Sequence, residues 1–147
     1  MKFLGFSVLL TLAFCPLPAF SEKAVDASLM VLDKDRLWYF DFQRKPFTGK
    51  AESFHENGKK KFTANYVAGV FDGEVLGWFA DEKPASKQTF AKGKPIGLSQ
   101  LWYSNGDLRK KATFKDGSLE GEVSEWYENG KLKEQVTFLE GKRTGDY

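Results

Sequence analysis

The chain has 147 residues, with 22 Lys and Arg, 20 Asp and Glu, one His and one Cys. A net charge of +2 without basic clustering gives no electrostatic footprint for a nucleic acid, and one Cys with one His supplies neither an internal disulfide nor a Cys/His zinc cluster. The length suits one domain, and an aromatic content of 16% together with 14 Gly asks for a structural reason.

Residues 1–21 read as a secretory signal peptide. Lys2 is the positive start, Phe3 to Phe14 the apolar run, and Pro16 and Pro18 break it before the small-x-small site Ala19-Phe20-Ser21. The apolar run is about 12 residues, short of the ~20 that span a bilayer, so no integral membrane segment is expected after cleavage. Leu12-Ala13-Phe14-Cys15 has the outline of a lipoprotein site, but Phe14 stands where a small residue is wanted. Plain cleavage is the expectation, with lipidation at Cys15 the lesser alternative. The product is a cysteine-free exported chain, periplasmic or extracellular, that folds without disulfides.

Residues 22–48 resemble a degenerate copy of the repeat that begins at residue 49, suited to capping a stack. Phe42 lies 24 before Tyr66, Asp33-Lys34-Asp35 aligns with Asn57-Gly58-Lys59, and Leu37-Trp38-Tyr39-Phe40 is strand-like until Arg44-Lys45-Pro46 ends it.

From residue 49 to 147 a 24-residue period organises the chain into four tandem units and a truncated fifth. Gly49, Gly73, Gly97, Gly121 and Gly145 are 24 apart, as are Gly69, Gly93, Gly117 and Gly141. Phe54, Trp78, Trp102 and Trp126 keep the same spacing, followed by His55, Phe79, Tyr103 and Tyr127, and later by Tyr66, Phe90, Phe114 and Phe138. Asn57-Gly58, Asn105-Gly106 and Asn129-Gly130 share one slot, which Asp81-Glu82 fills in the second copy. Asn-Gly between alternating apolar residues signals a type I′ hairpin, and no segment holds a 3.6-residue apolar period. Each unit therefore reads as strand, Asn-Gly turn, strand and a second turn of the Lys115-Asp116-Gly117 kind. The fold class is all-β: an elongated, twisted antiparallel meander of tandem β-hairpins, about ten strands long. Charged Lys142, Arg143 and Asp146 near the last edge discourage edge pairing.

A two-residue loop at Asn129-Gly130 places Tyr127 opposite Leu132, Val123 opposite Val136 and Gly121 opposite Phe138, with all five side chains on one face. Each unit-opening glycine then faces an aromatic ring that covers its bare backbone. The other face carries Glu122, Ser124, Gln135 and Thr137 beside the column Phe54, Trp78, Trp102, Trp126, with Arg109 opposite Trp102 and Lys133 opposite Trp126 as cations over rings.

No catalytic constellation emerges. His55 is the one ordinary candidate for a general base, yet it stands in an aromatic column. Glu56, Glu128 and the pair Glu120/Glu122 read as solvated charges, and Gly93-Lys94 and Gly141-Lys142 lack the spacing of a phosphate-binding loop. No cofactor or metal is expected. The candidate binding face is Phe54, Trp78, Trp102, Trp126, Arg109 and Lys133. Three readings of it stand side by side: rings filling a groove of the coiled sheet, a face for a protein partner or self-association, and a platform for cell-wall glycan.

The fourth copy, Gly121-Glu-Val-Ser-Glu-Trp-Tyr-Glu-Asn-Gly-Lys-Leu-Lys-Glu through Leu139-Glu140-Gly141-Lys142, resembles the MORN repeat variant found in bacterial YwqK-family antitoxin-like proteins. Leu37-Trp38-Tyr39 followed by Pro46-Phe47-Thr48-Gly49 resembles their opening. The resemblance covers about residues 36–147 and implies successive hairpins used for protein contacts or membrane association, with no catalytic residue. The second copy departs from it at Asp81-Glu82-Lys83-Pro84. The expected function is thus a non-enzymatic, exported binding or scaffolding module of the bacterial cell envelope. Glycan binding and an immunity-like role toward an exported toxin are the alternatives.

Overall fold

The computed structural model describes residues 24–40 and 45–144. The expected leader 1–21 with Cys15, together with Phe42, Arg44, Gly145 and Asp146, lies outside the described residues. In chain order the strands are β1 (Val25–Asp26), β2 (Met30–Leu32), β3 (Trp38–Phe40), β4 (Gly49–Phe54), β5 (Lys60–Val67), β6 (Val70–Trp78), β7 (Pro84–Ala91), β8 (Lys94–Trp102), β9 (Leu108–Lys115), β10 (Ser118–Leu119), β11 (Gly121–Trp126), β12 (Leu132–Leu139) and β13 (Lys142–Thr144). A single 3-10 turn, Ala27–Leu29, is the helical element among the described residues.

The chain is all-β. An eleven-stranded sheet runs β1-β4-β5-β6-β7-β8-β9-β11-β12-β13 with β10 paired to β9, and β2–β3 forms a separate hairpin. From β4 onward the neighbours are antiparallel, as a meander of hairpins requires, but β1 adds to β4 in parallel through Val25↔Ala51 and Asp26↔Glu52. The sheet is therefore mixed at its first edge, where the leading segment doubles back along the array. β10 and β11 together make the fourth copy of the strand that β6 and β8 form, interrupted at Glu120.

The Asn-Gly turns differ from the type I′ expectation. At the Asn-Gly ends, Gly58, Gly106 and Gly130 donate to the carbonyls of His55, Tyr103 and Tyr127, and the glycine alone has positive φ. Each is a three-residue loop: His55 N donates to Lys59 O and Tyr127 N to Lys131 O. These are type I turns closed by a left-handed glycine, not type I′ turns. The Asn serves instead as an acceptor, since Lys59 N, Asp107 N and Lys131 N donate to the Oδ1 of Asn57, Asn105 and Asn129. The second copy keeps the turn, because Asp81 Oδ1 accepts from Lys83 N and Glu82 takes the left-handed slot at φ 68. Type I′ geometry occurs at the opposite ends, where Ala68-Gly69, Lys92-Gly93, Asp116-Gly117 and Glu140-Gly141 all have positive φ. There Thr48 Oγ1, Asp72 Oδ2 and Glu120 Oε2 accept from the N–H of Ala68, Lys92 and Glu140.

The longer loop shifts the pairing by one residue, and a bulge restores it. Phe54, Trp78, Trp102 and Trp126 pair with Lys60, Pro84, Leu108 and Leu132, while their neighbours Ser53, Gly77, Leu101 and Glu125 pair with Phe62, Ser86, Lys110 and Glu134. Lys61, Ala85, Arg109 and Lys133 are the extra residues, one per copy. Leu132 thus shares the face of Trp126 and does not lie opposite Tyr127. Beyond the bulge the expected register holds: Gly49↔Tyr66, Gly73↔Phe90, Gly97↔Phe114 and Gly121↔Phe138.

The reason for the glycines after Gly49 is backbone, not ring cover. The φ angles of Gly49, Gly73, Gly97 and Gly121 are 147, 101, 64 and 77°. A Cβ added to Gly97 or Gly121 would meet nothing within 4 Å, one on Gly73 would meet Asn65, and one on Gly49 would meet the ring of Phe47 at 2.9 Å. At Gly73, Gly97 and Gly121 the paired aromatic is not among the atoms within 4 Å of an added Cβ. The glycines adjoin the irregular strand segments where Tyr66 pairs with Phe71 although Ala64 pairs with Val75, and positive φ is what such bends demand.

The core sits at one end of one face. Met30, Phe47, Ala51, Ala64 and Tyr66 are buried, with Val25, Ala27, Trp38, Phe40, Phe62, Phe71 and Val75 packed against them. The rings run as a spine, Phe40–Phe47–Tyr66–Phe71–Phe90, at centroid separations of 5.9, 5.7, 4.8 and 5.1 Å. The β2–β3 hairpin covers this end. Trp38 N donates to Gly69 O and Phe47 N to Trp38 O, both at 2.8 Å. Its turn has the same form as the Asn-Gly loops, with Asp33 N on Leu37 O, Arg36 N on Asp33 O and Arg36 left-handed at φ 60. The left-handed slot precedes Gly58 by 22 residues, so the alignment of Asp33-Lys34-Asp35 on Asn57-Gly58-Lys59 is two residues out of step.

Farther along, the same face becomes mixed, with Val123, Val136 and Phe138 standing beside Lys110, Glu125 and Glu134. The column that begins with Phe62 continues as Ser86, Lys110 and Glu134, and the one that begins with Phe47 and Phe71 continues as Pro95 and Leu119. The buried cluster lies where the β2–β3 hairpin covers the sheet, as burial requires of a single-layer sheet.

Candidate functional site

The candidate face is set by the bulged turn ends. Phe54 is exposed, whereas Trp78, Trp102 and Trp126 are part-buried. Each indole follows the bulge and precedes the loop, so successive rings stand at one height on successive hairpins. Trp126 borders Asp107, Leu108 and Gly130, and so lies against the loop of the preceding copy.

Backbone carbonyls tie these loops to one another. His55 Nε2 lies 2.9 Å from Trp78 O, and Tyr103 Oη donates to Trp126 O at 2.8 Å. A carbonyl only accepts, so the proton of His55 on this bond is on Nε2. Asn57 Nδ2 donates to Ala80 O, and Asn105 Nδ2 to Glu128 O. Asp81 has no such donor, and Lys83 Nζ reaches Ser104 O in its place. The sequence period therefore records hydrogen-bonding stations between copies as well as turn conformation.

The cations take other positions than the bulge-free register gave. Arg109 lies over Tyr103 at 5.8 Å, not over Trp102. Lys133 Nζ bonds Glu125 Oε1 at 3.0 Å, and this contact lowers the Glu125 carboxyl and raises the Lys133 ammonium. The cation over an indole is Lys60, 6.0 Å from Trp78. Lys60 and Lys50 both lie 2.9 Å from Glu52 Oε1, and hydrogen bonds from Lys60 and then Lys50 hold Glu52 below its ordinary 4.5. The bulge is the cause: it makes Arg109 and Lys133 extra residues, not partners of the Trp column.

Glu120, Glu122 and the two Gly-Lys pairs have structural roles, while Glu56 and Glu128 are exposed. Glu120 Oε2 caps Glu140 N, Glu122 Oε1 accepts from Ser124 Oγ, and Gly93-Lys94 and Gly141-Lys142 belong to type I′ turns. Among the described residues no group of three or more His, Cys, Asp and Glu is placed to hold a metal ion, and no helix is long and apolar enough to cross a membrane. The column Phe47, Phe71, Pro95, Leu119 escapes a reading by composition, although its 24-residue spacing is a signal in the sequence.

Comparison with curated proteins and with solved structures finds no match. A family model, the MORN repeat variant, matches residues 47–68, 95–116 and 119–140. The stretch between the first two matches holds the copy with Asp81-Glu82, whose loop keeps the common geometry. Repeats of this kind are non-enzymatic modules that bind proteins or membranes. Over these stretches, which make up under half of the chain, the sequence is similar to MORN-variant repeats.

Proposed function

We propose that the protein is a non-enzymatic, exported module that holds a protein partner of the bacterial cell envelope on the face carrying Phe54, Trp78, Trp102 and Trp126. The observation that supports this reading is the column itself: one large ring per hairpin, at the strand end beside loops that are cross-tied so that the spacing is fixed. Trp and Tyr in such settings contribute disproportionately to binding, and a pre-ordered surface loses little entropy on association. Export rests on the leader read in residues 1–21.

The test is capture from envelope extract by the purified protein, beside a Trp78→Ala/Trp102→Ala/Trp126→Ala variant whose circular dichroism and melting curve are recorded. A protein retained by the wild type and lost by a folded variant supports the reading. Retention on purified peptidoglycan that the variant loses, with no protein captured, overturns it in favour of glycan.

A further inference from the structure

Away from the Trp column, the capping hairpin overhangs the aromatic spine and leaves a cavity of about 320 Å³. It is lined by Trp38, Val70, Phe71 and Phe90 together with the exposed Leu32 and Arg36. The volume is at the lower end for pockets that take small organic groups, enough for one large side chain. Leu32 is 50% exposed although it borders these apolar residues. Among the described residues Arg36 is the one charged residue lining the cavity, and it forms no ion pair with them.

We infer that this cavity is a docking site for a peptide segment of a protein partner, taking an aromatic side chain against Phe71 and Phe90 and an adjacent carboxylate on Arg36. The inference rests on the protein-binding reading and names the chemistry of the partner. Ring faces favour another aromatic in offset or edge geometry. A guanidinium offers a carboxylate two parallel N–H donors, so the site selects acidic over basic neighbours. The overhang is fixed from below: a Cβ on Gly69 would stand 2.9 Å from Leu37 Cβ and from Pro46 Cβ, so the hairpin is seated with no room to spare.

The experiment uses the purified protein and three blocked hexapeptides, Gly-Ser-Trp-Glu-Ser-Gly, its Trp-to-Ala analogue and its Glu-to-Lys analogue, followed by amide and indole shifts in NMR. The expected result is saturable binding of the first peptide alone, with shifts at Gly69, Val70, Gly93 and the Trp38 indole. Arg36→Gln should weaken it roughly two- to fivefold, the range of an exposed charge pair. Equal binding of the Lys peptide overturns the assignment, as do shifts centred on Trp102 and Trp126. Tighter saturation by decanoate than by the peptide assigns a lipid, and a concentration-dependent dimer abolished by Arg36→Gln assigns a second copy; either overturns it. No saturable binding of any probe also overturns it while leaving the envelope capture, which does not depend on Arg36, to stand or fall alone.

Discussion

The ring of His55 reaches the carbonyl oxygen of Trp78 at 2.9 Å, and Tyr103 makes the same contact to Trp126 in a later copy. The sole histidine thus serves as a hydrogen-bonding station between copies. His55→Tyr should preserve stability, whereas His55→Phe should cost about 1 kcal/mol, the net worth of one hydrogen bond. Phe79 shows that the column accepts a ring without a donor. Chemical denaturation of the three proteins checks this, and a His55→Phe protein as stable as wild type would remove the bond from the account.

Gly121 separates two explanations of the glycine column. Its φ of 77° makes Gly121→Val strained by about 1–3 kcal/mol, while Gly121→Asn should cost a fraction of that, since Asn tolerates left-handed backbone. With nothing within 4 Å of an added Cβ, Phe138→Ala should add to Gly121→Val without coupling. Coupling in the double-mutant cycle would restore a ring-over-glycine contact.

Much of this fold is legible because period and alternation depend on side-chain chemistry that every copy repeats. The pairing of Gly121 with Phe138 emerges from a two-residue loop, yet it holds because a three-residue loop and a bulge at Lys133 displace the strands by one residue in opposite senses. Anything inside that compensated interval is misplaced by the simple register: Trp126 against Lys133, Trp102 against Arg109. Asn suggests left-handed tolerance, and it is present for its Oδ1 acceptor, a role that Asp81 fills equally well. The capping hairpin is least legible, since Leu32, Arg36 and Trp38 act by departing from the repeat, and a periodicity carries no information about its exceptions. For the Trp column, spacing gives position on the sheet but not what binds there, because the ligand leaves no mark on the period.

The second copy carries a compensating pair. Asp81 lacks the amide donor that Asn57 and Asn105 use, and Lys83 supplies a bond to Ser104 O instead. Lys83 also holds the Asp81 carboxyl below its usual range through a side-chain hydrogen bond. Lys83→Ala should therefore lower the melting temperature in the wild type more than in an Asp81→Asn background, where the new amide reaches the same carbonyl. Equal shifts in the two backgrounds would show that the carbonyl of Ser104 needs no partner.

Tyr66 joins the capping hairpin to the sheet, with its ring 6.3 Å from Trp38 and 5.7 Å from Phe47, and burial pushes its phenol up to about 12 from 10.0. The unfolded chain releases this proton near its ordinary value, while the folded chain retains it. Between those pH values the unfolded state binds fewer protons, so stability falls as pH rises. The contribution is fully present below about pH 10 and is lost on passing through about pH 12. Tyr66→Phe keeps the ring and removes the ionisation, and so should flatten the alkaline limb of denaturant midpoints taken from about pH 9 upward. Ultraviolet absorbance of the phenolate should place the Tyr66 titration late in the wild type. An unchanged alkaline limb in Tyr66→Phe would mean that the capping hairpin opens before the phenol ionises, and that the buried end of the spine is the least stable part of the array.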